Sequence, residues 1–487
     1  MKKKFLAVVL GAAMVTSLVA CGKKEDKKDD TTTTTPDDTT DVTDNTDNTD
    51  NTDTPDDTTD EADPWTVIVD ADGNPVDLGG MEILIADWWT GEQEEPKTAY
   101  EIARKEYYDW IQETYNFTIT RAAWSSWGDM PADYVNYATT GGDENIIFCL
   151  RQGGELTSAM AQGLMYDLNT LDCLDFSESK WDAAVQSLGA SGDKQFVVRA
   201  EEHEPTACVY FNKRLLKDAG IEPDYIYELQ RNHEWTWDKF EEILAAVQAD
   251  TDNDGVIDRY AMTNFTSNLY PAAVFSNGGS FIGKDADGKF FNNIESDATM
   301  EAMNWCMDIL SKYEMPQPEG SEWNYMYASF ANAEAVFFPS GRAYMAGQDF
   351  KNMEDDFGCV CFPMGPRMTE YTNMATDNVY CIPSCYDADK AWKIMFAYNL
   401  YTDPVPGFED YSPMQKGYEN AMRDSVAVEE TIAYLLANPQ ADLTGCIVGL
   451  DLGPQLFWAV NKDNTPAQQA EAQRNAWAEL INQANGQ

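Results

Sequence analysis

The chain has 487 residues and a formal net charge of −51 at pH 7, from 33 lysines and arginines against 84 aspartates and glutamates. A surface this negative repels phosphate backbones and anionic headgroups, which excludes nucleic-acid binding. Hydrophobic residues make up 43% of the chain, and residues 65–487 exceed the size of a usual single core, so two domains are expected. Two histidines in the whole chain leave little for histidine-based catalysis.

The first twenty residues predict a secretory signal, because a lysine-rich start is followed by an apolar run too short to span a membrane. The sequence Leu18-Val19-Ala20-Cys21 resembles the bacterial lipobox, which implies lipidation of Cys21 and a location on the extracellular face of the cell membrane. Residues 21–64 contain mostly threonine, aspartate and asparagine. Such a tract offers almost no apolar area, so a disordered tether is predicted.

Strand-like and helix-like patterns alternate through the rest of the chain. A short hairpin is expected over 65–78. Strands are predicted over 81–86, 117–121, 146–150, 207–211, 357–362 and 379–382, and helices over 99–115, 213–219, 237–248, 299–312, 387–400 and 467–484. This alternation indicates parallel α/β layers.

Six segments then carry a family resemblance. They cover 148–167, 209–221 (VYFNKRLLKDAGI), 235–240 (WTWDKF), 341–346 (GRAYMA), 361–366 (CFPMGP) and 379–392. In this order they are similar to elements of the sugar-binding, maltose-binding-protein-like solute-binding lipoproteins of ABC importers. Trp235 stands where that family usually has proline, so this loop is expected to differ.

The resemblance implies an α/β, two-lobe, periplasmic-binding-protein-like (type II) fold with a hinge and an inter-lobe cleft. By this analogy lobe 1 comprises 65–205 with 363–402, and lobe 2 comprises 206–362 with 403–487. Such a protein binds a solute, closes around it and presents it to the permease subunits of an ABC importer. A monomer that touches the membrane only through its lipid is expected.

Fourteen tryptophans and 24 tyrosines favour a carbohydrate as the solute, because aromatic faces cover the apolar face of a sugar ring. Open α/β sheets place ligands just beyond strand ends. The predicted ligand-binding residues are Asp87, Trp88, Trp89, Trp124, Trp127, Gln152 and Gly153 in lobe 1, and Tyr270, Trp323, Tyr325, Gln348 and Asp349 in lobe 2. Trp88 and Trp89 are adjacent, so at least one of them should be exposed to the cleft.

Residues 250–258 (DTDNDGVID) fit the spacing of a calcium-binding loop. The predicted ligands are Asp250, Asp252, Asp254, Val256 and Asp258, the bidentate glutamate expected at position 12 being replaced by Ala261. The spacing therefore predicts a structural Ca²⁺, with a solvated acidic turn as the alternative, and no other cofactor is required.

Nine cysteines besides Cys21 are scattered, odd in number and mostly set in apolar runs, which favours buried free thiols over disulfides or a zinc site. The acidic run 201–204 around His203 is interpreted as a solvated linker, since adjacent carboxylates cannot face each other across a glycosidic bond. The protein is thus predicted to be non-enzymatic and to bind a carbohydrate, with an oligosaccharide as the expected ligand. A peptide or other small polar solute, and a surface glycan-degrading enzyme, remain the alternatives.

Overall fold

The structure is a computed structural model that describes residues 65–92, 95–151, 154–200, 203–375, 378–460 and 464–486. The predicted signal sequence, Cys21 and the tether lie outside these residues. No helix in the described part of the chain is both long and apolar enough to cross a membrane.

The strands are β1 Met81–Asp87, β2 Phe117–Ala123, β3 Asn145–Leu150, β4 Ala190–Ser191, β5 Lys194–Gln195, β6 Cys208–Asn212, β7 Tyr260–Met262, β8 Ile282–Lys284, β9 Phe290–Asn292, β10 Ala335–Gly341, β11 Phe357–Cys361, β12 Asn373–Ala375, β13 Val379–Cys381 and β14 Pro439–Ala441. The predicted strands all form, within one or two residues of their expected ends. In the predicted hairpin over 65–78, one isolated bridge joins Val69 to Pro75.

The α-helices are α1 Ala99–Tyr115, α2 Met130–Thr140, α3 Gly154–Ala161, α4 Ala183–Gln186, α5 Lys213–Asp218, α6 Pro223–Arg231, α7 Trp237–Val247, α8 Thr266–Ser276, α9 Asp297–Tyr313, α10 Tyr325–Ala331, α11 Ala388–Tyr401, α12 Pro413–Ala421, α13 Ala433–Ala437, α14 Trp458–Val460 and α15 Pro466–Ala484. Short 3₁₀ turns cover Leu168–Thr170, Ser187–Gly189, Ala343–Gly347 and Leu443–Cys446, and π-helical turns cover Ala427–Ile432 and Gly453–Phe457.

Local sequence explains where the main helices begin. Thr98 and Glu101 form a capping box at the start of α1. The Thr236 side chain accepts a hydrogen bond from the Lys239 backbone N–H at the start of α7, and Thr465 caps α15 in the same way. Each cap satisfies a backbone donor that the helix itself leaves without a partner.

Two four-stranded sheets form the centres of two hydrophobic cores. The first sheet has the order β13-β3-β1-β2, and the second has the order β11-β6-β10-β7. Lobe 1 packs around the first sheet and lobe 2 around the second, so residues such as Phe148 and Phe337 belong to separate buried clusters. The predicted α/β two-lobe architecture is therefore present.

The boundaries between the lobes differ from those predicted. Met364 and Tyr371 pack in the core of lobe 2, whereas Ala375 packs in that of lobe 1. The second crossing thus lies near 372–375 rather than at 363, and the chain also stays on lobe 1 past 402. Tyr411 stacks on Tyr100 of lobe 1 with ring centroids 4.2 Å apart, and α12 then follows in lobe 2.

The crossing segments are joined by buried hydrogen bonds. The backbone N–H and the hydroxyl of Thr206 both donate to Asn373 Oδ1, at 2.9 and 2.7 Å. Strand β12, which begins at Asn373, pairs in parallel with β14. The first and second crossings therefore form one hinge with β14. Away from this hinge the lobes also touch, because Lys284 Nζ donates to the Ala190 carbonyl at 2.7 Å.

The predicted burial of the cysteines is confirmed for most of them. Nine described cysteines are free, seven of them buried, whereas Cys173 is half-buried and Cys385 is exposed. Burial raises the pKa of thiols such as Cys381, to about 12, so these thiols stay protonated and pack as small apolar side chains.

Candidate functional site

The strand order brings specific strand ends to the edges where the lobes connect. In lobe 1, Val379 at the start of β13 lies opposite Leu150 at the end of β3. Because the second crossing enters lobe 1 at β13, the carboxyl ends of β1, β2 and β3 lie at the edge that faces the hinge. In lobe 2, Cys208 at the start of β6 lies opposite Gly341 at the end of β10, so the ends of β10 and β7 lie at the equivalent edge.

Trp88 and Trp89 follow β1 at this edge of lobe 1. Trp89 is 48% exposed, whereas Trp88 is half-buried against the lobe 1 core. Their rings meet edge to face with centroids 4.9 Å apart. The pair thus presents one largely open indole that is supported by its neighbour.

Asp87 has a different position from the one expected for a ligand contact. It is fully buried, and its carboxylate accepts hydrogen bonds from the backbone N–H groups of Trp89 and Thr90 at 3.1 and 2.9 Å, and from the Thr90 hydroxyl. These bonds fix the turn after β1. Asp87 therefore orients the adjacent tryptophans, and we leave it out of the proposed ligand surface.

Trp124 and Trp127 extend the same wall after β2. The Trp124 backbone N–H donates to the Asp87 carbonyl at 2.8 Å, and its ring packs edge to face on Phe148 at 5.2 Å. Trp127 is 60% exposed. The guanidinium of Arg151 lies 3.8 Å from the centroid of the Trp127 ring and its Nη1 donates to the Trp127 carbonyl at 3.0 Å, a cation–π contact that orients this indole.

We call the four tryptophans Trp88, Trp89, Trp124 and Trp127 together with Arg151 the lobe 1 wall. Arg151 was not among the predicted residues. It follows β3 directly, so the rule that selected the tryptophans also points to it. Gln152 and Gly153 come next in the chain and lie outside the described residues.

The facing edge of lobe 2 carries a second aromatic group. Phe265 follows β7, and its backbone N–H donates to the Ser340 hydroxyl at 2.7 Å, which places it beside the end of β10. Trp323 is 67% exposed, and its ring centroid lies 6.1 Å from that of Phe265. The ring centroid of Tyr327 lies 6.4 Å from that of Phe265.

Two of the predicted lobe 2 residues, Tyr325 and Asp349, lie close together in the structure. Both line a shallow surface pocket of about 410 Å³ with Tyr327. Burial raises the pKa of Tyr325 to about 12, and partial burial also raises the pKa of Asp349. Gln348 is exposed next to them.

Arg342 and Tyr344 follow β10 and complete this group. The Tyr344 backbone N–H donates to Glu204 Oε1 at 3.0 Å, and the Tyr418 hydroxyl donates to Glu204 Oε2 at 2.7 Å. We call Phe265, Trp323, Tyr325, Tyr327, Arg342, Tyr344 and Asp349 the lobe 2 wall. Phe265, Tyr327, Arg342 and Tyr344 were not predicted, although Phe265 and Arg342 each follow a strand end.

Tyr270 does not belong to this wall. It has no exposed surface and stacks on Phe457 with centroids 5.0 Å apart and planes 4° apart. Helix α8 is buried over most of its length, so a tyrosine at its centre packs in the core, and we leave Tyr270 out of the proposed ligand surface.

The solvated-linker interpretation of 201–204 is wrong for its second half. His203 is 4% exposed, and its Nδ1 lies 2.7 Å from Asp182 Oδ2 of lobe 1. Glu204 holds two groups of lobe 2, as described above. Both residues tie the first crossing to the lobes beside it, while Glu201 and Glu202 lie outside the described residues.

The acidic loop between α7 and β7 brings three predicted metal ligands together. Asp250, Asp252 and Asp254 offer carboxylate oxygens that all lie within 4.8 Å of one another. Asp258 Oδ2 instead accepts from the backbone and hydroxyl of Thr251 at 2.9 and 2.8 Å, and these bonds lower the pKa of Asp258. The loop precedes β7 and Phe265 follows it, so the loop and the lobe 2 wall lie at opposite ends of this strand. The calcium site stays a separate prediction.

The two cores, the hinge and the two walls define a two-lobe solute-binding architecture. A family model described as "Bacterial extracellular solute-binding protein" matches residues 90–364. The chain belongs to this family. The family and the similar solved structures are binding proteins, not enzymes, in agreement with the predicted lack of catalysis.

Solved structures show the same fold at low sequence identity. The cyclic α-maltosyl-1,6-maltose binding protein of Arthrobacter globiformis is 14% identical, with a TM-score of 0.60 over 83% of this chain and 99% of that one. UspC of M. tuberculosis is 15% identical, with a TM-score of 0.58 over 81% and 100%. UgpB of Mycobacterium tuberculosis, in complex with glycerophosphocholine, is 13% identical, with a TM-score of 0.53 over 83% and 99%. A search of curated proteins by sequence finds no match.

Proposed function

We propose that this protein is the lipid-anchored solute-binding component of an ABC importer and that it binds an oligosaccharide between its two walls. Binding would occur on the extracellular face of the cell membrane, and the loaded protein would deliver the sugar to the permease. The membership in an extracellular solute-binding family supports the general part of this proposal.

The proposal of a sugar as the solute rests on the lobe 1 wall. Four indole rings gather at the carboxyl ends of neighbouring strands, and Trp89, Trp124 and Trp127 are all substantially exposed. Exposed aromatic rings are costly in water unless a ligand covers them. A sugar ring offers an apolar face of matching size, and several adjacent indoles favour a ligand with more than one ring.

The related structures support the same ligand class. Besides the Arthrobacter protein, a Listeria monocytogenes ABC substrate-binding protein in complex with cycloalternan has a TM-score of 0.51. A protein with mannotriose bound also has a TM-score of 0.51. UgpB, which is bound to glycerophosphocholine, favours the alternative of a small polar solute.

The anchor depends on Cys21 and is proposed from sequence alone. Metabolic labelling with a palmitate analogue should label the wild-type protein in a bacterial host and leave Cys21→Ala unlabelled. Label on the Cys21→Ala protein would contradict the lipobox assignment.

A thermal-shift panel tests the ligand class. We expect maltotriose, mannotriose or a related oligosaccharide to raise the melting temperature by several degrees at concentrations far above its dissociation constant, because only the folded state binds it. Glycerophosphocholine and a tripeptide serve as controls. A shift with either control and with none of the saccharides would overturn the proposal, and reducing ends released on prolonged incubation would indicate an enzyme instead.

A further inference from the structure

Two polar side chains at the end of β7 are buried without hydrogen-bond partners in the described part of the chain. Thr263 and Asn264 are both at most 1% exposed, and Thr263 Oγ1 and Asn264 Oδ1 have no partner. A buried polar atom left unpaired loses the hydrogen bonds that it would make in water, which destabilises the folded state. Both atoms can accept hydrogen bonds, so a donor from outside the described chain would relieve this cost.

A carboxyl group lies next to these acceptors. Asn264 Nδ2 donates to Glu314 Oε1 at 2.6 Å, and the backbone N–H of Met315 holds this segment to β7 through the Met262 carbonyl at 2.8 Å. Burial raises the pKa of Glu314 to about 7. No lysine, arginine or histidine of the described residues forms an ion pair with it, so the carboxylate lacks a counter-charge.

Aromatic residues of the lobe 2 wall adjoin this polar group. Phe265 is the next residue after Asn264, and Trp323 lies 6.1 Å from Phe265. The Tyr325 hydroxyl reaches the Met315 carbonyl at 3.5 Å, beside Glu314. Aromatic faces attract cations as well as sugar rings, and a buried carboxylate is stabilised most by a positively charged donor.

We infer that Thr263, Asn264 and Glu314 form a subsite for a protonated amino group, so that the solute carries an amino sugar. The inference rests on the proposed function and narrows it. The ammonium group would donate to the Glu314 carboxylate and to the unpaired Asn264 Oδ1 beside it, with Thr263 Oγ1 as a further acceptor at the end of β7. The sugar rings would then lie against Trp323 and the lobe 1 wall.

Calorimetric titration with three matched trisaccharides tests the subsite on the full protein. The probes are the β-1,4-linked glucosamine trimer, its N-acetylated form and its glucose counterpart, which share a backbone and differ at the amino position. We expect the free amine to bind about tenfold or more tightly than either neutral trimer, as for a hydrogen-bonded charge pair. This comparison needs no variant.

Glu314→Gln removes the charge and keeps the shape of the side chain. It should lower the affinity for the amine-bearing trimer about tenfold, and by clearly more than the affinity for the neutral trimers. Glu319→Gln removes the same charge from an exposed position nearby and should change neither.

The outcomes separate this inference from the proposed function. If neutral saccharides bind and the amine gives no advantage, or if Glu314→Gln weakens charged and neutral trimers equally, the amine subsite is overturned and oligosaccharide binding stands. If no saccharide in this panel or the thermal-shift panel binds, both fail.

Discussion

The two walls differ in chemistry although both are built at strand ends. The lobe 1 wall presents indole rings and one cation, Arg151, which is itself stacked on Trp127. The lobe 2 wall mixes phenols and a single indole with Arg342, Asp349 and the nearby Glu314. If both walls contact the solute as proposed, lobe 1 would supply flat apolar contact area and lobe 2 would supply polar groups that distinguish the substituents of the solute.

The walls also differ in how they are held. In lobe 1, the buried carboxylate of Asp87 fixes the turn after β1, and the same residue's carbonyl accepts from Trp124. In lobe 2, Glu204 of the first crossing binds the backbone of Tyr344. The lobe 2 wall is thus tied directly to the hinge, whereas the lobe 1 wall is tied to its own sheet.

Removing two exposed indoles from the lobe 1 wall should have the largest effect on solute binding. In Trp89→Ala combined with Trp127→Ala, the affinity for the best saccharide should fall about 100-fold or more, because each ring contributes stacking area worth roughly 1–2 kcal/mol. Calorimetric titration measures this loss. Trp65→Ala, which removes an exposed indole from the start of the described chain, should leave the affinity unchanged. An unchanged affinity in the double variant would contradict a binding role for lobe 1.

Much of the fold could be predicted from the sequence because its signals are local. Runs such as 146–150 and 208–211 are apolar enough to be buried strands, and caps such as Thr98 and Thr236 mark helix starts. Alternation of these elements then indicates parallel α/β layers. The predicted lobe boundaries were less accurate, because long-range packing decides that Met364 belongs to lobe 2 and Tyr411 to lobe 1.

The site was predicted only in part for the same reason. The strand-end rule found the tryptophans of lobe 1, whose exposure follows from the turns that hold them. The rule could not show that the Asp87 carboxylate accepts its hydrogen bonds within its own turn. Nor could it show that Tyr270 packs on Phe457, which is distant in sequence. The ligand role of the remaining residues stays a prediction.

Uncoupling the crossings should have the next largest effect. Asn373→Ala removes the acceptor of two hydrogen bonds from Thr206 and leaves the buried Thr206 backbone N–H unpaired, whereas the hydroxyl keeps the Met374 carbonyl as a partner. The free energy of unfolding should therefore fall by about 2 kcal/mol. Denaturant titration measures this change. Asn304→Ala, an exposed substitution on α9, should change stability by less than about 0.5 kcal/mol. Equal stability of both variants would show that this contact does not hold the hinge.

Glu314, the buried acid of lobe 2, gives the stability of the protein a pH dependence. Burial raises the Glu314 pKa from 4.5 to about 7, so its contribution to stability is greatest below about pH 4.5 and is lost as the pH rises through 7. Tyr270 and Tyr325, the described titratable groups coupled to it, have raised pKa values and stay neutral in this range.

Glu314→Gln should therefore be more stable than the wild type at pH 8 by roughly 1–3 kcal/mol and equal to it near pH 4.5. Melting curves at both pH values measure the difference in the absence of solute. Glu319→Gln should show no such dependence. A Glu314→Gln advantage of the same size at both pH values would indicate a packing effect rather than ionisation.

The smallest expected effect is the change in stability when the acidic loop of lobe 2, residues 250–258, binds calcium. If Asp250, Asp252 and Asp254 bind Ca²⁺ with the weak affinity of extracellular modules, 1 mM Ca²⁺ should stabilise the protein by about 0.5–1 kcal/mol. Melting curves with calcium and with a chelator measure this shift. Asp252→Asn should abolish it, whereas Asp287→Asn, in another exposed acidic turn, should retain it. Identical curves with and without calcium would mean that the loop is a solvated turn held by its own Asx hydrogen bonds, such as that from the Gly255 N–H to Asp250 Oδ2 at 2.8 Å.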